Sequence, residues 1–159
     1  MVFILVINID KITYAATQTN ISAPNYKLVK ADIADKEAVS TIFANNEIDY
    51  VVNFAAESHV DNSIHSPADF IKTNVMGTFN MLECAREYYA KNPNLRFLHI
   101  STDEVYGALA KDGSVFTEKS QYQPNSPYSA SKAGSDHLVR AWNKTYGLPT
   151  ITTNCSNNY

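Results

Sequence analysis

Glycine is scarce in this chain: only five of its 159 residues are glycine, and the first is Gly77. A turn that binds a phosphate through its backbone amides depends on glycine. Residues 1–76 contain no glycine, so no such turn is expected there. No apolar run approaches the roughly 20 residues that a membrane-spanning helix needs. The apolar stretch 2–9 has neither a basic flank nor a small-residue cleavage site, which predicts a strand rather than a secretion signal.

Neither sign of charge dominates, since 13 Lys+Arg stand against 16 Asp+Glu and the net charge is −3. A dedicated nucleic-acid binder would present a basic face, so no nucleic acid or membrane partner is expected. The two cysteines, Cys84 and Cys155, have no motif spacing and predict structural thiols in a reducing compartment, the cytoplasm. The hydrophobic fraction of 45% excludes intrinsic disorder, and the length suits one domain.

Apolar runs alternate with helical patterns along the chain, which predicts an α/β fold. The expected strands are 2–9, 26–30, 50–54, 95–100 and 150–153, and the expected helices run from caps at Asp35, Ser66 and Ser126 to about 46, 89 and 146. Residues 107–125 are expected to form a surface loop. Strands joined through helices favour a mainly parallel sheet that is covered on both faces.

Polar clusters follow every expected strand: Asp10, Asp32, 55–59, 101–104 and 154–158. Ligands of open parallel sheets bind at the carboxyl ends of the strands. One such cluster could be an ordinary polar loop, but five at one edge predict a site.

Tyr128 and Lys132 give the most specific signal, because residues four apart share one face of a helix. An ammonium beside a phenol favours the phenolate, so this pair predicts a lowered tyrosine pKa and a general base. The adjacent carboxylates Asp103 and Glu104 could be a solvated strand end or one acid and one base. His59 and His65 are accompanied by no cysteine pair or HExxH pattern, so no metal site is expected.

Six stretches together resemble a known family: DKITYA at 10–15, NFAAESHVD at 53–61, TNVMGT at 73–78, ISTDEVYG at 100–107, SPYSASKA at 126–133 and TNCSNNY at 153–159. They are similar to the dTDP-glucose 4,6-dehydratases of the extended short-chain dehydrogenase/reductase family. The resemblance implies a Rossmann-like doubly wound parallel sheet, NAD as cofactor, a nucleotide-sugar substrate and a homodimer formed through the helices that begin near Pro67 and Pro127.

The resemblance also implies which residues form the site. The cofactor would contact Asp10, Lys11, Ile12, Thr13, Asp32, Ile33, Phe54, Ala55, Ala56, Glu57, Ser58, Thr73, Tyr128, Lys132 and Asn158. The substrate would contact Ser58, Thr102 and Asn157. The implied catalytic residues are Thr102 (polarising the C4 oxygen), Asp103 (acid), Glu104 (base at C5), Tyr128 (base at the 4-hydroxyl) and Lys132 (keeping Tyr128 acidic).

The chain departs from the family pattern at both ends. The strand, Gly-rich loop and helix that precede the Asp10 strand in the family are not in the sequence, and neither is the C-terminal substrate domain. We therefore expect residues 1–159 to form a partial NAD-binding domain with two inner strand edges unpaired. The alternatives are an inactive remnant, an interaction fragment, or a related nucleotide-sugar 4-epimerase, which carries a similar Tyr/Lys pair but usually lacks the Asp-Glu pair.

Overall fold

The computed structural model describes residues 4–14, 16, 21–109, 111 and 113–156. In these ranges the strands are β1 (Val6–Asp10), β2 (Tyr26–Lys30), β3 (Tyr50–Asn53), β4 (Arg96–Thr102) and β5 (Thr150–Cys155). The α-helices are α1 (Lys36–Ala44), α2 (Val60–His65), α3 (Pro67–Phe70), α4 (Thr78–Tyr89) and α5 (Pro127–Tyr146). A π-helical segment, Ile71–Gly77, joins α3 to α4, and a 3₁₀ helix, Asp103–Tyr106, follows β4.

The strands form two parallel sheets. In the first, β1 pairs with β2 and Val6 lies opposite Tyr26. In the second, the order is β3-β4-β5, with Tyr50 opposite Arg96 and Phe97 opposite Thr150. Within the described ranges β1 pairs with β2 alone and β3 pairs with β4 alone. One edge of β1 and one edge of β3 therefore have no strand partner in those ranges. The predicted α/β class, the parallel pairing and the two unpaired edges are confirmed.

Local sequence signals account for most helix ends. The Asp35 side chain accepts hydrogen bonds from the first turn of α1, as expected of an N-cap. Ser126 and Ser129 form a reciprocal capping box at the start of α5, and Gly147 ends that helix in the left-handed conformation at φ 72°. Ser66 is the N-cap residue of α3 and Pro67 follows it in the first turn, as predicted, but the Ser66 side chain makes no capping hydrogen bond. Helix α2 was not predicted, and its six residues are too few for a periodic pattern.

The hydrophobic core lies between the three-stranded sheet and helices α1, α4 and α5. Its buried members include Val39, Phe43, Met81, Leu82, Ala85, Leu95, Phe97, Val139 and Leu148. Gly77 is needed for this packing, since a Cβ on it would lie 2.6 Å from the side chain of Ile33. Among the residues described, no helix is long and apolar enough to span a membrane.

Candidate functional site

The carboxyl ends of β1 and β2 meet through an ion pair. Lys11 Nζ lies 2.9 Å from Asp32 Oδ2, and the other carboxylate oxygen of Asp32 accepts a hydrogen bond from Ala34 N at 2.9 Å. Burial acts to raise the pKa of Asp32, but these two donors outweigh it and hold the pKa below its ordinary value. The hydrogen bond to Asp32 raises the pKa of Lys11. The two predicted cofactor residues are therefore in contact and carry opposite charges.

Asp10 shapes the backbone that follows β1. Its carboxylate accepts a hydrogen bond from Ile12 N at 2.7 Å, which closes a tight turn. Ile12 has φ 56°, a left-handed conformation that a β-branched residue rarely adopts. Such strain costs on the order of 1–3 kcal/mol and is typical of ligand-binding segments.

The segment after β1 lies against the segment after β3, although the two strands belong to different sheets. The rings of Tyr14 and His59 are 6.0 Å apart, and Asn62 Nδ2 donates to Tyr14 OH at 2.6 Å. A cleft of about 210 Å³ opens beside them, lined by Tyr14, Glu57, Asn62, His65, Ser66, Asp69 and Phe70. Phe70 also packs edge-on against Tyr128, so the cleft borders the catalytic residues that the sequence predicts.

Asn74, which the residue patterns did not single out, connects the loop after β3 to α5. Its Oδ1 accepts from Glu57 N at 2.8 Å, and its Nδ2 donates to Glu57 O at 2.9 Å and to Ser131 Oγ at 2.8 Å. Asn74 is buried in the π-helical segment, a feature that often occurs at functional sites. Its position inside an expected α-helix gave no signal, because every partner is distant in the sequence.

Thr102, Asp103 and Glu104 form the turn at the end of β4. The Thr102 hydroxyl accepts from Glu104 N at 3.3 Å and lies 3.4 Å from Asp103 Oδ1, so it caps the 3₁₀ helix. Thr102 is buried, Asp103 is half-buried and Glu104 is exposed. The two adjacent carboxylates thus occupy different environments.

Helix α5 places Tyr128 beside this turn. Burial raises the pKa of Tyr128 above its ordinary value, and a hydrogen bond with Thr102 opposes that shift. The carboxylates of Glu104, Asp103 and, more weakly, Asp136 raise it further. The predicted lowering of the tyrosine pKa is therefore wrong for this arrangement, because burial and acidic neighbours raise it.

Lys132 is buried one turn further along α5. Its Nζ donates to the Ile100 carbonyl of β4 at 2.6 Å, which ties the helix to the strand. Burial lowers the pKa of Lys132 to about 8, although Asp136 acts in the opposite direction. The ammonium therefore titrates close to neutral pH.

The other residues named by the resemblance lie in several environments. Ile33 is in the core and Thr73 is buried, whereas Phe54 and Ser58 are exposed and Thr13, Ala55 and Ala56 are half-buried. Asn157 and Asn158 lie outside the described residues. A second cleft, of about 340 Å³ beside Tyr106 and Phe116, has no charged group among its lining residues. In the described part of the chain no three His, Cys, Asp or Glu side chains are grouped to hold a metal ion.

Comparisons with known proteins agree with the motifs. The chain is 53% identical over 163 residues to the dTDP-glucose 4,6-dehydratase of Neisseria meningitidis serogroup B, covering 97% of this chain and 46% of that protein. It is 52% identical to dTDP-glucose 4,6-dehydratase 1 of Escherichia coli K12, covering 97% of this chain and 47% of that one. The chain thus spans just under half the length of these relatives.

Solved structures share the fold. The dTDP-glucose 4,6-dehydratase DesIV of Streptomyces venezuelae, crystallised as a double mutant with NAD bound, has a TM-score of 0.89 and 41% identity over all of this chain and 48% of its own. The UDP-glucose 4-epimerase of Thermus thermophilus, also with NAD, has a TM-score of 0.82 at 26% identity, over 93% of this chain and 46% of its own. Because the family model of GDP-mannose 4,6 dehydratase matches residues 4–159, the chain belongs to that family.

Proposed function

We propose that the protein is an NAD-dependent dTDP-glucose 4,6-dehydratase, a lyase that converts dTDP-glucose to the 4-keto-6-deoxy sugar and water. The observation that carries the proposal is the turn of Thr102, Asp103 and Glu104 at the end of β4, next to Tyr128 of α5, whose hydroxyl is hydrogen-bonded with Thr102. An oxidation at C4 needs one base, but loss of water needs a further acid and base, and this cluster offers all three. The two dehydratase relatives at 52–53% identity support the same substrate.

The ends of β1 and β2 fit the adenosine half of NAD in chemistry. Asp10 offers carboxylate oxygens at a strand end, as ribose hydroxyls require, and Asp32 and Lys11 form a polar rim beside it. We expect Asp10→Asn to weaken NAD binding about tenfold, the usual scale for a hydrogen bond to a charged group. Calorimetry with NAD measures this, and Asp35→Asn is the matched control because asparagine also caps α1. Equal affinity in both variants would contradict the assignment of Asp10.

When bound, NAD supplies a hydride acceptor at C4 and later the hydride for C6. The roles of the chain's own residues follow from their chemistry. Tyr128 takes the proton of the 4-hydroxyl, and Thr102 donates a hydrogen bond to the C4 oxygen. Once C4 is a ketone its neighbouring C5 proton is acidic, and the exposed Glu104 carboxylate removes it. Asp103 gives a proton to the departing 6-hydroxyl, so that one water molecule is lost.

The Tyr128 pKa sets the expected pH dependence. A tyrosine whose pKa lies above its ordinary value holds its proton at neutral pH, so it acts as a base only in a small fraction of molecules. Following the family resemblance, we expect Lys132 to counteract this while it stays an ammonium, which its pKa of about 8 allows only below that pH. We therefore expect the rate to rise with pH towards about 8 and to fall above it.

A chimaera tests the function without depending on the length of the chain. Residues 4–156 replace the matching half of the Neisseria meningitidis relative, and the hybrid is incubated with dTDP-glucose and NAD. The expected product is lighter than the substrate by one water and carries a keto group at C4. A hybrid that gives the 4-epimer instead would support the epimerase alternative, and an inert but folded hybrid would contradict the proposal.

The assembly and the compartment are part of the proposal. Ile71 and Met76 lie on the helix that begins at Pro67 and are half-exposed, which suits an apolar contact between two copies. In the chimaera, replacing both with glutamate is expected to convert a dimer to a monomer in sedimentation measurements. Cys84 and Cys155 are both free thiols, which suits the reducing cytoplasm.

A further inference from the structure

Asp136 is a buried acid that no motif assigned, and it lies one turn after Lys132 on α5. Only 4% of its surface is exposed. Its Oδ2 accepts three hydrogen bonds, from Ser101 Oγ at 2.8 Å, Tyr122 OH at 2.9 Å and Asn154 Nδ2 at 3.2 Å. These donors come from β4, the loop before α5 and β5. A buried carboxylate is costly unless it is hydrogen-bonded and balanced by a charge.

The other oxygen of Asp136 faces a histidine. Asp136 Oδ1 and His99 Nε2 are 3.4 Å apart, and among the described residues neither has a hydrogen-bond partner. Asn53 Nδ2 lies 3.3 Å from His99 Nδ1, and an amide nitrogen only donates, so Nδ1 is the acceptor and the ring proton is on Nε2. Burial lowers the pKa of His99, so the ring is neutral near pH 7. His99 therefore presents a neutral N–H group to Asp136 and contributes no positive charge.

Lys132 supplies the charge that these neutral donors do not. It is 3% exposed and lies four residues before Asp136 on the same helix, so two buried side chains of opposite charge share one helix face. The titratable groups that interact with this pair are His99 from β4, Tyr122 from the loop, Tyr106 from the 3₁₀ helix and Tyr128 from α5. Asp103 and Glu104 act on Tyr128 and are half-buried and exposed, whereas Asp136 is buried.

We infer that Asp136 is a positioning residue of the site: its buried carboxylate supplies the negative charge that keeps the Lys132 side chain an ammonium ion. The charged form of Lys132 is the form that the proposed function assigns to it. The catalytic meaning of this arrangement rests on the proposed function, but the charge relation between the two side chains does not. A purely structural Asp136 would hold β4, β5 and the loop together and leave the titration of Lys132 unchanged.

The test follows the ¹³Cε resonance of Lys132 through an alkaline titration of protein labelled with [ε-¹³C]lysine. The wild-type midpoint is expected near 8, and Asp136→Asn is expected to lower it by about one unit. Ser135→Ala is the matched control, since Ser135 is a buried polar residue of the same helix turn that carries no charge. An unchanged midpoint in folded Asp136→Asn would overturn the inference, and so would an equal shift in Ser135→Ala.

A second variant covers the case in which Asp136→Asn does not fold. Ser101→Ala combined with Tyr122→Phe removes two donors from the carboxylate and leaves its charge in place. With less of that charge offset by hydrogen bonds, the Lys132 midpoint is expected to rise, and an unchanged or lowered midpoint would overturn the inference. Neither titration uses substrate, so a failure of the proposed dehydratase activity in the chimaera would be recognised separately.

Discussion

The two parallel sheets differ in how far they are covered. From Phe97 onward the side chains of β4 alternate between buried and half-buried, and the strand ends with two buried residues, Ser101 and Thr102. In β2 no residue is buried, and Leu28 is half-exposed. The three-stranded sheet therefore packs closely around Tyr128 and Lys132, whereas the proposed adenosine side of the site, at the ends of β1 and β2, stands on a sheet with little packing of its own. In the proposed function, the reacting residues are thus pre-organised more firmly than the cofactor contacts.

Removal of the Tyr128 hydroxyl should have the largest effect. We expect Tyr128→Phe to lower kcat of the chimaera roughly 10²–10⁴-fold, the usual range for a lost general base. Tyr146→Phe, at the far end of the same helix, is the control and should retain the activity. Comparable losses in both variants would mean that the helix, and not the hydroxyl, is being perturbed.

The difference in packing predicts a difference in stability. Phe97 on β4 is fully buried, so Phe97→Ala is expected to lower the free energy of unfolding by about 3–5 kcal/mol. Leu28→Ala on β2 should cost less than about 1 kcal/mol, because the leucine is already half in solvent. Urea unfolding measures both, and similar losses would show that the two sheets are equally covered.

Lys132 should be a cost to the fold. Lowering its pKa from 10.5 to about 8 corresponds to about 3 kcal/mol, partly offset by the hydrogen bond to Ile100 O. We expect Lys132→Met combined with Asp136→Asn, which leaves no unbalanced buried charge, to stabilise the folded state by about 1–3 kcal/mol near neutral pH while abolishing activity.

The sign of the pH dependence checks that explanation. Between about pH 8 and 10.5 the unfolded chain holds the Lys132 proton more tightly than the folded chain, so wild-type stability rises with pH in that window. The advantage of the double variant Lys132→Met/Asp136→Asn should therefore shrink across it. A constant difference between the two proteins would assign the effect to packing.

Strain at the end of β1 should give a smaller effect. Ile12→Asn is expected to raise the free energy of unfolding by about 1 kcal/mol, because asparagine tolerates φ near 56° and the Ile12 side chain lies at the surface, 39% exposed. Thermal unfolding measures it, with Ile21→Asn, another exposed isoleucine, as the control. A loss of stability at position 12 would show that the turn is not strained.

The ion pair between Lys11 and Asp32 should contribute least. It is partly exposed, so Asp32→Asn is expected to cost about 0.5–1 kcal/mol at neutral pH. Because the Asp32 pKa is lowered, this contribution is present above the ordinary pKa and disappears as the pH falls through the folded value. A difference between variant and wild type that persists in acid would contradict it.

Sequence patterns predicted the elements whose causes are local. The caps Asp35 and Ser126, the glycine stop at Gly147 and the parallel order of the strands all depend on neighbouring residues or on the βαβ rule. The cluster at the end of β4 and its approach to Tyr128 followed from the strand ends and from the family resemblance.

Features built from distant residues could not be predicted. Asp136 accepts hydrogen bonds from Ser101, 35 positions before it, and from Asn154, 18 positions after it. Its neighbours in the sequence are those of an ordinary helix. The direction of the Tyr128 pKa shift failed for the same reason, since burial is a tertiary property. The left-handed Ile12 has no sequence signal at all, because isoleucine is among the residues least suited to it.

The π-helical segment Ile71–Gly77 divides one continuous helix into two parts whose side chains have different roles. Each backbone hydrogen bond of a π-helical segment spans one more residue than a hydrogen bond of an α-helix. The side chains after the segment are therefore rotated relative to those before it. Asn74 is thereby aimed at Glu57 and Ser131, while Leu82 and Ala85 face the core. A one-residue deletion here would restore a regular helix and turn one of these faces away. We therefore expect this helix to tolerate substitutions more readily than changes in length.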